Sequence, residues 1–266
     1  MLLVIDGESG GVGKSTTTKL LLEYLIEAKK SYKVYDLDLT KLDVGVVYDP
    51  ENYKKSDIVA EGENKPEQTA DLSRLIRFTD SKRSRSKVNV IFEEALKENV
   101  VVNLPSNVKH LLDSWIEDNG LLKLAKTNKI KFIKIFVCSG DKLSVDLFLD
   151  SLEKYKNDRG MTQIFCYNEK YESDIETLKT KYKKLKDALS MHKVATFSLP
   201  ELDWSCFERI NDMGTRFSTA KDDPSHDLGM IGRQSVAEFL NKSYERYADV
   251  LKTIGATELC TQAKKR

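Results

Sequence analysis

The apolar run Leu2-Leu3-Val4-Ile5 leads almost directly into residues 10–17, Gly-Gly-Val-Gly-Lys-Ser-Thr-Thr. Few folds place a strand, a glycine loop, a lysine and a hydroxyl-rich helix start in that order. Glycines let the backbone turn its N–H groups toward one point, and the helix beginning there directs its positive end at the same point. Lys14 adds a point charge, and Ser15 offers a hydroxyl to a divalent cation. These residues predict a cradle for the phosphates of a nucleotide. The usual spacing, Gly-x4-Gly-Lys-Ser/Thr, is met imperfectly: the first glycine would fall at position 8, which is Glu8 between Gly7 and Gly10.

Downstream, short apolar runs alternate with longer amphipathic stretches. That alternation predicts an α/β fold: a single domain over residues 1–266, with a mostly parallel twisted sheet flanked by helices. Strands are expected at 2–6, 33–38, 100–103, 130–138, 162–167 and 193–198. Helices are expected at 15–29, 86–98, 107–126, 142–156, 172–190, 201–213 and, last, near 233–254. Residues 49–70 read as polar and irregular, and 71–78 as either a short strand or a helix. Residues 214–232, with Gly, Pro, Asp and Ser, read as a lid-like loop, and the tail from Gly255 as frayed.

Composition narrows the partners. Charged residues make up 32% of the chain but sum to a formal net charge of +1, so bulk charge selects neither nucleic acid nor membrane. Cys138, Cys166, Cys206 and Cys260 show no close pairing. Cys138 and Cys166 lie in apolar runs and are expected as core thiols in a reducing cytoplasm. No leader or membrane-length apolar run is read, so a cytoplasmic location is expected. His110, His192 and His226 lack metal-ligand spacing, and Trp115 and Trp204 are expected as core or interface anchors.

Open parallel sheets bind ligands at the carboxyl ends of their strands. Four groups fall there: residues 9–16, the pair Asp36 and Asp38, Asn103, and Asn168. Asp36 and Asp38 are expected to divide, one aimed at the phosphates and one serving structure.

Residues 10–17, Asp36-Leu37-Asp38 and Asn103-Leu104-Pro105-Ser106 together resemble the ParA/MinD group of deviant Walker P-loop ATPases, in order and over most of the chain. The resemblance fits a plasmid-partition or conjugation-associated branch best. It implies ATP and Mg2+ as cofactors, held by Ser9, Gly10, Gly11, Val12, Gly13, Lys14, Ser15 and Thr16. It gives catalytic roles to Lys14 and Asp38, the latter positioning the hydrolytic water. The metal falls to Ser15 and Asp38, with Asn103 acting through a water, and Asn168 falls where the family contacts adenine. Guanine is not excluded, since Asn168-Glu169-Lys170 is not a guanine motif. Two departures matter. Ser9 stands where the family has a lysine that reaches across a nucleotide-sandwiched dimer, and serine supplies no charge. Asn103 stands where a carboxylate is usual. Slow hydrolysis is therefore expected, with Lys41 a candidate replacement cation.

The family's partners would be a nucleotide-dependent second copy of the chain and DNA bound without sequence preference. Two basic stretches could serve DNA: the loop run of residues 82–87, and the lysines at 179, 181, 183, 184 and 186. Solvated helix faces are the plain alternative. The terminal helix is expected to pack on the sheet rather than bind membrane, and the partner protein is not identified. The competing functions are a small-molecule kinase or ATP-dependent ligase on the same scaffold, and a nucleotide-binding scaffold with little turnover.

Overall fold

A computed structural model describes residues 1–53, 74–79, 82–156, 158 and 160–260. The sheet forms from β1 (Leu2–Asp6), β2 (Lys33–Asp36), β3 (Val100–Asn103), β4 (Phe132–Cys138), β5 (Met161–Asn168) and β6 (Ala195–Leu199). These strands are all parallel, in the order β2-β3-β1-β4-β5-β6. Leu2 aligns with Val100 on one side and Phe132 on the other, which puts β1 at the centre. Every residue of β1 and β4 is buried, as expected for strands covered on both faces, and this is why they read as apolar runs broken only by Asp6 and Lys134.

The helices are α1 (Lys14–Glu27), a single turn α2 (Gly45–Tyr48), α3 (Lys82–Ala95), α4 (Lys109–Asp118), α5 (Leu121–Thr127) and α6 (Lys142–Tyr155). They continue with α7 (Ile175–Lys181), α8 (Lys183–Met191), α9 (Trp204–Asp212), α10 (Phe217–Asp222) and α11 (Gly229–Thr253). Alternation divides the strands cleanly. Leu3, Ile5, Val101 and Ile135 face α1 and α11, where they meet Leu21, Phe239, Tyr247 and Leu251. Leu2, Val4, Val102 and Phe132 face α3, α4 and α5, meeting Ile91, Phe92 and Trp115. Phe136, Phe148 and Phe165 form a third core under α6, α7 and α8. One polar exception lies inside: Lys134 of β4 pairs with Asp6 at 2.7 Å and donates to Ser151 at 2.9 Å, with no solvent reaching its side chain.

Several expectations are corrected. The single helix expected at 107–126 is split into α4 and α5 by Gly120, whose φ of 57° is left-handed. The helix expected at 172–190 is split at Tyr182, whose φ of −123° and ψ of 87° leave the helical region. The lid-like loop expected at 214–232 is instead α10, a 3-10 turn at Pro224–His226 and the first turn of α11. Burial of Phe217 and Ala220 against Phe239 overrides the loop-like composition there. The basic run at 82–87 is helical, not a loop, although the side chains of residues 82–85 lie outside the described residues. The tail does not fray at once: Thr257–Leu259 forms a 3-10 turn, and Leu259 and Cys260 are buried. The 75–79 stretch takes neither strand nor helix form, and the expected irregular segment lies outside the described residues from 54 onward.

The terminal helix packs as expected. Val236, Phe239, Leu240, Tyr247 and Leu251 are buried in the same core as α1, and the Tyr247 hydroxyl donates to Thr17 O at 2.7 Å. Among the described residues no helix is long and apolar enough to cross a membrane.

Candidate functional site

The loops leaving β1, β2, β3, β5 and β6 converge on a cavity of about 760 Å³ at the carboxyl edge of the sheet. Residues Gly10, Gly13, Lys14, Ser15, Asp38 and Asn168 all line it, so groups up to 158 positions apart in the chain meet at one site. Gly11, Thr16 and Lys41 line it as well. Val12 is buried beneath the loop, and Ser9 contributes its carbonyl to Lys14 rather than its side chain to the cavity.

Gly13 opens α1 with φ at 110°, a conformation only glycine takes without strain. A Cβ there would also lie 2.7 Å from Asn168 Nδ2 and 2.8 Å from Leu199 Cδ2. The loop is braced from the β5 end. Asn168 Nδ2 donates to Val12 O at 2.8 Å, and the Tyr171 hydroxyl donates to Gly11 O at 2.9 Å. In a planar trans peptide the C=O and N–H point in opposite directions. Fixing these two carbonyls therefore turns the N–H groups of Val12 and Gly13 away from the bracing side chains. Asn168 Oδ1 accepts from Lys170 N at 3.0 Å, closing the local turn.

Lys14 folds across its own loop. Its ammonium donates to Gly7 O at 2.6 Å, Ser9 O at 3.0 Å and Ser106 Oγ at 2.9 Å. Burial lowers its pKa below the ordinary lysine value, opposed by the charges of Asp6, Asp38 and Glu8.

The two aspartates divide because β2 ends at Asp36 and the chain turns before Asp38. Asp36 is fully buried and accepts from Val44 N and Gly45 N, both at 3.0 Å, and from Asn103 Nδ2 at 2.9 Å. Burial raises its pKa to about 6 despite these donors. Asp38 lines the cavity and is held by the Thr40 hydroxyl at 2.5 Å. Asn103 differs from its expected place at the metal. It donates to Asp36, its Oδ1 lies 3.0 Å from the Thr18 hydroxyl, and it is buried behind the cavity wall rather than lining it.

Sequence reasoning missed several cavity residues. Lys19, one helical turn beyond Ser15, is buried, pairs with Asp43 at 3.1 Å and donates to Asn211 Oδ1 at 2.8 Å. It thereby ties α1 to the segment carrying Asp38 and to α9. Trp204 was expected as an anchor. It is 55% exposed and lines the cavity with Phe207 and Tyr171, whereas Trp115 is core as expected, at 2%. The signals were present: a lysine within the apolar face of α1, and an aromatic cluster after β6. Their meaning depends on partners distant in sequence.

No family model matches the sequence, and no curated protein matches it. Solved structures do. MinD from Pyrococcus horikoshii OT3, a septum site-determining protein complexed with Mg-ADP, matches with a TM-score of 0.52 at 17% identity, over 96% of this chain and 97% of that one. The MinC:MinD cell division complex of Aquifex aeolicus gives a TM-score of 0.50 at 14% identity, over 90% of this chain and 95% of the other. At these identities the likeness establishes the fold, and that fold is the ParA/MinD-type P-loop ATPase fold.

Proposed function

We propose that this chain is an ATP-binding switch ATPase of the positioning type, in which binding and slow hydrolysis of Mg-ATP change its self-association or its grip on a partner. The observation that carries the reading is the convergence of Lys14, Ser15, Thr16 and Asp38 on one cavity whose loop backbone is braced from outside. In this reading Lys14 exchanges its contacts with Gly7 O and Ser9 O for phosphate oxygens. The Ser15 hydroxyl and the Asp38 carboxylate are hard oxygen donors suited to a magnesium ion. Among the described residues no three His, Cys, Asp or Glu side chains cluster as a metal site, so such an ion would complete its shell with phosphate oxygens and water. Asp38 orients the attacking water. Ser9 brings no cation to the transferring phosphoryl group, which favours slow turnover.

A second reading, a nucleotide-binding scaffold with little turnover, draws support from Asn103, whose amide is engaged by Asp36 and Thr18. A kinase or ligase on this scaffold would turn over only with an acceptor metabolite. Partner binding to DNA would use Lys181, Lys183, Lys184 and Lys186, all exposed on α7 and α8, and would weaken steeply with salt.

The test is phosphate release and particle mass, measured with ATP and magnesium, with and without DNA. A mass increase on adding ATP supports the switch. Lys14→Ala is expected to lose most ATP affinity. Asp38→Ala is expected to keep ATP binding and stop hydrolysis. Normal turnover in the Asp38→Ala protein would remove Asp38 from the mechanism.

A further inference from the structure

We infer that Trp204 is the stacking platform for the base of the bound nucleotide. This rests on the phosphate-site reading above. The cavity that begins at the glycine loop ends in an aromatic and apolar wall formed by Tyr171, Leu199, Pro200, Trp204 and Phe207. Asp203 caps α9, accepting from Ser205 N at 3.0 Å, and this places Trp204 at the first helical position, leaning into the cavity. One face of the indole lies against Phe207, with ring centroids 6.1 Å apart and planes 23° from parallel. The Lys170 ammonium lies over the indole, 4.6 Å from the ring centroid. A flexible, charged side chain over the ring marks it as reachable from solvent and electron-rich, rather than packed by core atoms. A nucleobase can replace the ammonium there, because every base presents a π-face.

Stacking on Trp204 does not by itself choose the base, since every base presents a π-face. Any choice between purines falls to polar groups beside it, among which Glu201 also lines the cavity.

The experiment uses the full chain with Mg2+ and three probes: ATP, GTP and inorganic tripolyphosphate. Trp115 and Trp204 are the two tryptophans of the chain, so a Trp115→Phe protein reports Trp204 fluorescence alone. ATP and GTP are expected to quench it, and tripolyphosphate to bind without quenching. Trp204→Ala should weaken ATP and GTP about tenfold, or ~1.4 kcal/mol, and leave tripolyphosphate unchanged. Trp204→Phe should recover most of the loss. Unchanged purine affinity in Trp204→Ala overturns the inference while leaving the phosphate site intact. Failure of all three probes to bind the wild-type chain overturns both.

Discussion

Asp36 and Asp38 stand two residues apart and do different work because β2 ends at Asp36 and Asp38 lies in the loop beyond it. That the pair would divide was expected from the sequence; where the strand stops and which partners Asp36 recruits were not, since Val44, Gly45 and Asn103 reach it only through the fold. The raised pKa of Asp36 has a definite sign. With a native value of about 6 against an ordinary 3.8, the folded chain holds more protons than the unfolded chain between those pH values. Stability at this site is therefore fully present below pH 4, falls as the pH rises toward 6, and levels off above it. Asp36→Asn should flatten that slope in urea melts taken from pH 4 to 7. It should also cost about 1–3 kcal/mol at neutral pH, because an NH2 group would then face backbone donors. Lys19 belongs at this scale too. It clamps Asp43, while Lys41 N and Leu42 N bond back to Asp38 O. Lys19→Met should slow single-turnover phosphate release about fivefold with ATP affinity unchanged, the signature of a misplaced Asp38 rather than a lost binding contact. Equal losses in both would assign Lys19 to binding. Asn103 and Asn168 show partners that residue-level reading does not reach. Each has the chemistry expected of it, but each is claimed by groups 67 to 156 residues away.

Strands were the most readable elements. A parallel strand covered on both faces must be apolar throughout, so runs such as Leu2-Leu3-Val4-Ile5 declare themselves. Helix boundaries were less readable, because the breaks are single-residue events. Gly120 interrupts one amphipathic pattern with no change in its apolar spacing. A Cβ at Gly120 meets nothing within 4 Å, so Gly120→Ala isolates the cost of its φ of 57°. The expected loss is about 1 kcal/mol in thermal or urea unfolding. α10 was missed for the opposite reason: its propensity is poor, and tertiary burial of Phe217 sustains it.

For the molecule as a whole, fold class followed from the order of elements, and the position of the site followed from the rule that such sheets bind at their carboxyl edge. The cavity's apolar end did not follow, because it is assembled from β5, β6 and α9 together. A ligand seated across loops from five strands stabilises the entire sheet through mass action. At one hundred times its dissociation constant, Mg-ATP should add about 2.7 kcal/mol and raise the melting temperature by roughly 5–10 °C. Lys14→Ala should abolish that shift in differential scanning fluorimetry.

The hydrogen bond from Tyr247 to Thr17 spans 230 residues, and it ties α1 to α11, which packs beside it on the sheet. During synthesis, the helix that presents Lys14 emerges from the ribosome long before the segment that shields it. Newborn chains therefore pass through a stage with greasy surface bare and the cradle not yet braced, so competence arrives late in translation.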